Sequence, residues 1–465
     1  MQTLIRNGIV VTEAGPAAAD ILIDGETIAA IGPELVVPES VRTINAADCY
    51  VFPGGIDVHT HLDWNFADKK TSDDFVTGSK AAAAGGITSI INFTNRRAGQ
   101  SLYEDLLEWQ ERAKPCNVDY GFHIIINDYN DSMIADLPKL REAGATSIKL
   151  FMAYKGVFMV DDGAMYNIMK EAGRLGFMTC VHAENGEVID RIIKEHLERG
   201  DVDPVYHSLS RPPEMEAEAA HRAIEIADLA GAPLYIVHVS SAAALEEIRI
   251  AKAAGKKVYG ETCPQYLALD ITDLQRPDYE GSKYVCSPPL REKWNQERLW
   301  SGIAGEALDT IGSDHSPFSF EEKKRLAAID FSRIPNGVPV IEEQYGIVYH
   351  HGVQEKRISL ERFAEITSTN PAKLFGMYPR KGVIAVGSDA DLVIMDPSRT
   401  RLLSRAYQQH NTDYNAFEGK EIQGVIRHVL SRGEIVAQDG KYIGSERRGQ
   451  YLHRKPANAI MGRKQ

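Results

Sequence analysis

Short apolar runs, separated by polar stretches of helical length, fill the middle of the chain. Amphipathic segments such as EDLLEWQERAK and EAEAAHRAIEIADLAG stand between most of these runs. The eight runs are FPGGIDVHTH, TSIINF, YGFHIII, SIKLFM, MTCVHA, LYIVHV, KVYGETC and DTIGSD. Eight strands that alternate with helices predict an α/β fold built on a parallel (β/α)8 barrel of the TIM type, with a doubly wound open sheet as the competing architecture.

The two ends of the chain follow a different pattern, in which short alternating or β-branched runs are bounded by turn signals such as Asn7-Gly8 and Asp439-Gly440. Because short strands must bury a face against another layer, we expect both ends to pack together as one small β-sandwich. The predicted domains are a sandwich of residues 1–52 and 385–445, a metal-binding barrel of residues 53–384, and a tail of residues 446–465.

Composition narrows the class of protein. The 465 residues are 43% hydrophobic and 25% charged, as in an ordinary globular enzyme. The 52 Lys and Arg against 65 Asp and Glu give a net charge of −13, which argues against nucleic acid as a partner. No apolar run reaches the ~18 residues of a membrane span. Five scattered cysteines predict reduced, buried thiols in a cytoplasmic protein.

Polar side chains of ligand type fall at the ends of four of the predicted barrel strands, and one more, Lys149, lies within a fifth strand. The active site of such a barrel is built at the carboxyl ends of its strands, so these side chains should meet at one mouth. They are His59, His61, Lys149, His182, His238 and Asp314. A single histidine in an apolar strand is more often a core residue than a ligand, but separate core histidines have no reason to share one position. Four imidazoles and one carboxylate suit zinc or another divalent ion of similar softness.

Lys149 needs its own explanation, because an ammonium group beside a metal is repelled and costly to bury. Reaction of the amine with carbon dioxide would give a carbamate, an anion that can bridge two metal ions. The alternative is an ordinary salt-bridged lysine.

These residues lie in segments that resemble the cyclic amidohydrolases, specifically the D-hydantoinase and dihydropyrimidinase group. The resemblance covers nearly the whole chain. The matching segments are GGIDVHTHLD, SIKLFMAYKG, VHAENGEVID, LYIVHVSS, ETCPQYL, CSPPLREKW, IGSDH, DFSRIPNG, AKLFGMYP and GSDADLVIMDP.

The resemblance implies a role for each candidate residue. His59 and His61 would bind the more buried of two divalent ions, with Asp314 completing that site. His182 and His238 would bind the more exposed ion, and N6-carboxylated Lys149 would bridge the pair, which we expect to be zinc. The implied substrate contacts are the Tyr154 hydroxyl and the main-chain groups of Ser287 and Asn336. Relatives in this group are usually homotetramers, and the tail is a candidate clasp on a neighbouring subunit.

The implied reaction opens the ring of a small cyclic ureide, such as a 5-substituted hydantoin or a dihydropyrimidine, to an N-carbamoyl amino acid. Two metal ions lower the pKa of a bridging water and supply hydroxide. Tyr154 can donate to the developing oxyanion. Asp314 can accept the proton of the nucleophile and pass it to the leaving nitrogen.

Two alternatives remain open, an allantoinase-type ureide hydrolase and a non-catalytic relative of dihydropyrimidinase such as the collapsin response mediator proteins. The second group lacks the metal ligands, all of which are present here. The loop Leu62–Lys70, which follows the histidine pair, departs most from the family pattern. It carries Trp64 and Phe66, which we expect to form an apolar wall for a ring substituent.

Overall fold

Eight parallel strands form the central sheet, and their order in the sheet is their order along the chain. The computed structural model describes residues 2–66, 69–97 and 99–457, with the backbone alone for residues 66 and 131. The strands are β1 (Gln2–Thr12), β2 (Gly15–Asp24), β3 (Thr27–Gly32), β4 (Arg42–Asn45), β5 (Tyr50–Pro53), β6 (Gly55–Thr60), β7 (Asn65–Phe66), β8 (Lys69–Lys70), β9 (Ile87–Phe93), β10 (Asp119–Ile125), β11 (Ser147–Phe151), β12 (Met178–His182), β13 (Leu234–Ile236), β14 (Val258–Thr262), β15 (Thr310–Ile311), β16 (Leu392–Leu402), β17 (Glu421–Ser431), β18 (Glu434–Gln438) and β19 (Lys441–Tyr442).

Helices follow most barrel strands. They are α1 (Phe75–Ala84), α2 (Leu102–Arg112), α3 (Asp131–Glu142), α4 (Asp162–Leu175), α5 (Gly186–Arg199), α6 (Tyr206–Leu209), α7 (Pro213–Ala230), α8 (Ala242–Ala253), α9 (Pro264–Ala268), α10 (Trp294–Ala304), α11 (Phe320–Ala327), α12 (Gln344–Val348), α13 (Leu360–Ala364) and α14 (Asn370–Leu374). Several of them carry ordinary caps, as α4 shows. Asp161 accepts from the Ala164 N–H at the start of α4, and Gly176 takes a left-handed φ of 81° at its end.

The barrel consists of β6 and β9 to β15, and all eight predicted strands are present. Nearly every residue of these strands is buried, as expected for a parallel sheet covered on both faces. A parallel bridge from Thr60 to His315, together with a 3.0 Å hydrogen bond from the His61 N–H to the His315 carbonyl, links the first strand to the segment after the last. That link closes the sheet and rules out the doubly wound alternative.

The two ends of the chain share a second, nine-stranded sheet made of β1 to β5 and β16 to β19. They join where β5 pairs with β16, with Val51 opposite Ile394. Side chains of β16 alternate: Ile394 packs among residues of this sheet, whereas Val393 and Met395 pack into the larger core that includes the barrel. The sheet from the termini thus supports one flank of the barrel.

The described part of the tail packs against its own barrel. Backbone hydrogen bonds join the Tyr120 N–H to the Gln450 carbonyl at 3.0 Å and the Leu452 N–H to the Tyr120 carbonyl at 2.7 Å. Arg454 is fully buried and donates to the Ser147 hydroxyl at 2.9 Å. Residues 446–457 therefore give no support to the expected clasp on a neighbouring subunit, and residues 458–465 lie outside the described residues. Among the helices that the structure describes, none is long and apolar enough to cross a membrane.

Candidate active site at the carboxyl end of the barrel

One cavity at the carboxyl ends of the strands receives all the ligand-type residues singled out in the sequence. The space inside it, together with the open solvent at its mouth, amounts to about 570 Å³. The ligand-type residues that line it are His59, His61, Lys149, His182, His238 and Asp314. They come from five strands far apart in the sequence, so the topology of the barrel alone brings them together.

Three of these residues converge on one point. The Nε2 atoms of His59 and His61 lie 3.1 Å and 3.2 Å from the same oxygen, Oδ1 of Asp314. Burial raises the pKa of a carboxyl group, but His59 overcomes this and holds the Asp314 pKa well below its usual range. Burial lowers the pKa of His61 to about 4, so this imidazole is neutral.

Glu261 orients the His59 ring from the side opposite Asp314. Its Oε1 lies 2.6 Å from Nδ1 of His59, and both groups are fully buried. Burial opposes protonation of His59, but the charges of Glu261 and Asp314 raise its pKa to about 9. With a proton on Nδ1 for Glu261, the Nε2 atom faces Asp314 and needs either a second proton or a cation.

In the second pair of histidines, His182 and His238, a buried carboxylate again fixes the tautomer of one imidazole. Nδ1 of His182 and Nε2 of His238 face each other at 2.9 Å. Nε2 of His182 lies 2.8 Å from the buried carboxylate of Glu184, which fixes the proton on that nitrogen and leaves Nδ1 as an acceptor. Burial holds the pKa of His238 well below its usual range, so its imidazole is neutral.

Lys149 lies inside the barrel without a carboxylate partner. Its side chain is buried, and its Nζ lies 4.8 Å and 5.0 Å from the ring centres of Phe93 and Phe151. Among the described residues, no carboxylate oxygen comes within salt-bridge distance of this nitrogen, so the ordinary salt bridge is not the explanation. Burial lowers the Lys149 pKa to about 8, which makes the neutral, nucleophilic amine accessible near physiological pH.

The donor set fits two divalent cations. His59, His61 and Asp314 present one ligand atom each within 4.8 Å of one another. Each of the two outer carboxylates, Glu261 and Glu184, fixes the proton of one histidine away from the centre. Unprotonated imidazole nitrogens and the Asp314 carboxylate therefore face the same cavity. A bound cation would stabilise this arrangement of electron-pair donors.

Three residues of this cavity have a backbone that L-amino acids rarely adopt. The φ angles are 65° at Tyr154, 43° at His238 and 51° at Asp314. Such left-handed conformations cost of order 1–3 kcal/mol each and persist where surrounding structure holds them, often at active sites. Aspartate and histidine are enriched in this region among non-glycine residues, but tyrosine is not, so the sequence gives no sign of the turn at Tyr154.

Tyr154 stands beside Ser287 and Asn336 on the cavity wall. Burial raises the Tyr154 pKa to about 12, with the charge of Glu184 adding to the effect, so its hydroxyl stays protonated and can donate. Among the described residues, no backbone–backbone hydrogen bond uses the N–H or carbonyl of Ser287 or Asn336. Those main-chain groups are candidates for contacts with a ligand.

Two buried residues that the sequence does not single out hold these segments in place. The Lys323 ammonium donates to the carbonyl of Val285 at 3.1 Å and to that of Gly337 at 2.5 Å, which ties the segment before Ser287 to the one after Asn336. Nε2 of His207 lies 2.9 Å from the Cys286 carbonyl.

Aromatic side chains form the apolar wall of the cavity. Trp64 stacks on Phe158 with ring centres 5.5 Å apart, and Phe158 stacks on Phe151 at 5.1 Å. Phe318 also lines the cavity. Trp64 is in addition 4.8 Å from the His61 ring, so it contacts a candidate metal ligand as well as the wall. The Phe66 side chain lies outside the described residues.

Other conspicuous residues serve the scaffold. Nε2 of His315 lies 3.0 Å from Asp73, and its Nδ1 accepts from backbone N–H groups, so it does not face the cavity. His123 contacts the Ser147 hydroxyl and the Val58 carbonyl. All five cysteines are buried and unpaired, as predicted. Burial raises the pKa of Cys286 to about 12, so this thiol is not a nucleophile.

Comparison with known proteins gives a consistent result. A model described as "Amidohydrolase family" matches residues 50–436. A D-hydantoinase of Geobacillus stearothermophilus is 48% identical over 463 residues, which are 99% of this chain and 98% of that protein. The crystal structure of a dihydropyrimidinase from Brevibacillus agri NCHU1002 is 49% identical with a TM-score of 0.96, over 98% of this chain and 99% of that one. A D-hydantoinase structure from Bacillus sp. AR9 is 50% identical with a TM-score of 0.95, over 98% and 99%.

Proposed function

The chain belongs to the D-hydantoinase and dihydropyrimidinase group of the amidohydrolase family, and from this premise we propose that it hydrolyses the ring amide of small cyclic ureides. The substrates would be 5-substituted hydantoins and dihydropyrimidines, and the products N-carbamoyl amino acids. The observation that carries the proposal is the single cavity where six ligand-type residues meet Tyr154, Ser287 and Asn336.

The metal centre that we propose holds two zinc ions. His59, His61 and Asp314 would hold one ion, and His182 and His238 the other, with N6-carboxylated Lys149 as the anionic bridge. Two observations on Lys149 support this role. Its side chain is buried without a carboxylate partner among the described residues, and burial lowers its pKa below the usual range of a lysine. When bound, two such ions act as Lewis acids and make hydroxide available at neutral pH.

Protein groups then move the protons and bind the charges of the reaction. The Asp314 carboxylate would accept the proton of the attacking water and deliver it to the ring nitrogen as the C–N bond breaks. The Tyr154 hydroxyl, which stays protonated, would donate to the oxygen that becomes negative in the tetrahedral state. The main-chain groups of Ser287 and Asn336 would pair with the N–H and C=O edge of the ureide.

The aromatic wall favours substrates with an apolar substituent on the ring. Trp64 and Phe158 line the same side of the cavity as stacked rings. We therefore propose Trp64 as a substrate contact, and Phe66 from the sequence argument alone. Both lie on the loop that follows the two histidines of β6, so a substituent would extend from the metal centre toward this loop.

The two alternatives make different demands on the site. A non-catalytic relative has no need for the six ligand-type residues, and their convergence here speaks against that role. An allantoinase-type enzyme would use the same centre, so only the choice of substrate separates it from a hydantoinase.

Three further properties belong to the proposal. We propose a homotetramer on the strength of the family resemblance, and a cytoplasmic location because five cysteines remain unpaired. We also propose the domain limits given above, with a sandwich of residues 1–52 and 385–445 and a barrel of residues 53–384.

A substrate panel on zinc-loaded protein tests the function. Dihydrouracil, hydantoin, an aryl-hydantoin and allantoin would each be assayed for N-carbamoyl product, with chelator-treated and zinc-restored samples as controls. We expect turnover of the aryl-hydantoin and dihydrouracil that is lost with the metal and regained with it. Turnover of allantoin alone would assign the allantoinase reaction. If protein that holds two metal ions per chain hydrolysed none of the four compounds, the proposal would be overturned.

A further inference from the structure

A second group of potential metal ligands lies outside the catalytic cavity, at the seam between the barrel and the terminal sheet. Glu342 and Glu343 immediately precede α12, and His410 lies in the connection between β16 and β17. We call these three residues the seam cluster. Their exposed fractions are 5%, 4% and 4%, and they present one ligand atom each within 4.8 Å of one another. None of the three lines the catalytic cavity.

In each carboxylate of the seam cluster, one oxygen accepts hydrogen bonds and the other has no hydrogen-bond partner among the described residues. Oε2 of Glu342 accepts from the backbone N–H groups of Gln409 and His410, at 2.6 Å and 3.3 Å. Oε1 of Glu343 accepts from the Asn415 side-chain amide at 2.6 Å. Oε1 of Glu342 and Oε2 of Glu343 are buried and have no hydrogen-bond partner among the described residues. Each carboxylate is thus fixed through one oxygen and keeps a second, buried oxygen without a hydrogen bond in the described part of the chain. Nε2 of His410 lies 3.9 Å from Oε1 of Glu343.

His410 repeats the pattern. Its Nδ1 lies 2.5 Å from the Thr412 hydroxyl, and its Nε2 is buried with no hydrogen-bond partner among the described residues. A proton on Nδ1 leaves the Nε2 lone pair free, which is the tautomer that metal-binding histidines use. Burial lowers the His410 pKa to about 3, so the ring is neutral.

The charge of the cluster is not balanced by neighbouring side chains. In the described part of the chain, Arg401 lies within salt-bridge distance of the pair, with its Nη2 3.7 Å from Oε1 of Glu342. One guanidinium faces two buried carboxylates. Burial raises the Glu342 pKa to about 8, and the charge of Glu343 adds to the effect. A buried acidic pair of this kind takes up either a proton or a cation.

We propose that Glu342, Glu343 and His410 bind a divalent transition-metal cation at a third, non-catalytic site. Two carboxylate oxygens and one imidazole nitrogen suit zinc or manganese, with water completing the coordination. A cavity separate from the catalytic one is lined by Glu342, Glu343 and Arg401.

The site ties together two segments that support the catalytic aspartate. Just before Glu342, the N–H groups of Val340 and Ile341 donate to Nδ1 of His315 at 3.1 Å and 3.3 Å. Just after His410, the N–H of Asn411 donates to Asp73, whose other oxygen lies 3.0 Å from Nε2 of His315. Because His315 follows Asp314, the cation would hold both partners of the residue next to the catalytic carboxylate. Its role is therefore structural.

Anomalous diffraction from crystals of the zinc-loaded holoenzyme tests the site directly. Data on both sides of the zinc edge should show a peak about 2.0–2.2 Å from Glu342, Glu343 and His410, separate from the catalytic peaks. Catalytic peaks with none at the seam cluster would overturn the proposal. This measurement uses the unaltered protein, so it does not depend on whether a variant folds.

Zinc counting gives an independent check. After removal of loosely bound metal, Glu343→Gln and His410→Asn should each hold one zinc fewer per chain than the unaltered protein. The double variant His350→Asn with His351→Asn, which disrupts a partly exposed cluster with Glu355, is the matched control and should lose none. Equal zinc content in the unaltered protein and in both seam variants, once circular dichroism shows them folded, would contradict the proposal. Neither readout requires hydantoin turnover, so failure here is separable from failure of the proposed function.

Discussion

Oε1 of Glu261 lies 2.6 Å from Nδ1 of His59, with both side chains buried inside the barrel. Glu261 also accepts from the His238 N–H at 3.0 Å and from the Tyr235 hydroxyl at 2.9 Å. One carboxylate thus fixes the ring of one proposed metal ligand and the backbone of another. It does this from the side away from the cavity.

Replacing Glu261 with alanine should weaken metal binding, because His59 would lose the acceptor that sets its tautomer. Loss of such a partner typically costs about 10–100-fold in metal affinity or activity. Competition with a chelator of known affinity measures the effect. Glu261→Gln keeps an oxygen that can accept from Nδ1 and should lose less than Glu261→Ala. Equal affinity in the unaltered protein and both variants would show that His59 is held by other contacts.

Lys149→Ala should abolish assembly of the two-metal centre. The lysine is buried and has no carboxylate partner in the described part of the chain, so its removal takes away only the proposed bridging anion. Small carboxylates such as acetate or propionate, added to the variant, should restore part of the metal content and of the turnover. Full metal content in Lys149→Ala without any added acid would contradict the bridging role. A crystal structure with an unmodified ammonium beside bound metal would do the same.

Lys323→Met should impair substrate binding more than chemistry. The ammonium joins the carbonyls of Val285 and Gly337, which flank the segments that carry Ser287 and Asn336. Without it, buried acceptors are left unsatisfied at about 1–3 kcal/mol each, and the two segments can separate. We expect KM to rise about tenfold, or ~1.4 kcal/mol, with a smaller change in kcat.

Lys324→Met is the matched control for this effect. Lys324 is the next residue on α11, and its ammonium lies over the Phe320 ring at 5.6 Å. Steady-state kinetics on one hydantoin compares the three proteins. An unchanged KM in Lys323→Met would mean that the two segments hold their positions without the lysine.

Asp314→Asn should preserve the fold and lower kcat by about 10²–10⁴-fold, the usual size of a general acid–base contribution. The amide is nearly isosteric but accepts no proton, and it is a poorer metal ligand. Metal content measured alongside kcat separates the two effects. Near-normal turnover would place the proton shuttle on another residue.

Much of the fold follows from the sequence because each barrel strand is buried on both faces. Such strands appear as unbroken apolar runs, and the polar residue that ends a run marks the mouth of the barrel. This is why the cluster around His59 and His182 is visible in the sequence. Two supporting residues are not visible. Glu261 is one acid inside a strand with no spacing partner, and Lys323 in FEEKKRLA resembles its solvated neighbours.

The left-handed backbone at His238 also escapes prediction. Strand β13 ends at Ile236, two residues before His238, because the chain turns there with a φ of 43°. The apolar run LYIVHV gives no clear sign of that turn, since its isoleucine and valine residues favour a strand. Tertiary contacts, such as the hydrogen bond from the His238 N–H to Glu261, decide the conformation instead.

Specificity for bulky substituents should depend on the Trp64–Phe158 stack. Trp64 also packs against His61 at 4.8 Å between ring centres, so Trp64→Ala alone would mix a lost substrate contact with a disturbed metal ligand. Phe158 lines the same cavity and stacks on Trp64 at 5.5 Å. Phe158→Ala should therefore weaken kcat/KM for an aryl-hydantoin relative to dihydrouracil by about 1–3 kcal/mol.

Comparing Trp64→Ala with Phe158→Ala distinguishes a lost substrate contact in the aromatic wall from a disturbed metal site. Both should lose discrimination in favour of the aryl ring, whereas Trp64→Ala alone should also retain less metal after dialysis against a chelator, because a cavity opens beside His61. The measurements are kcat/KM on both rings and metal content for each variant. If Phe158→Ala lost activity equally on both rings at full metal content, the aromatic wall would be supporting the site as a whole. The apolar specificity pocket would then lie elsewhere around the barrel mouth.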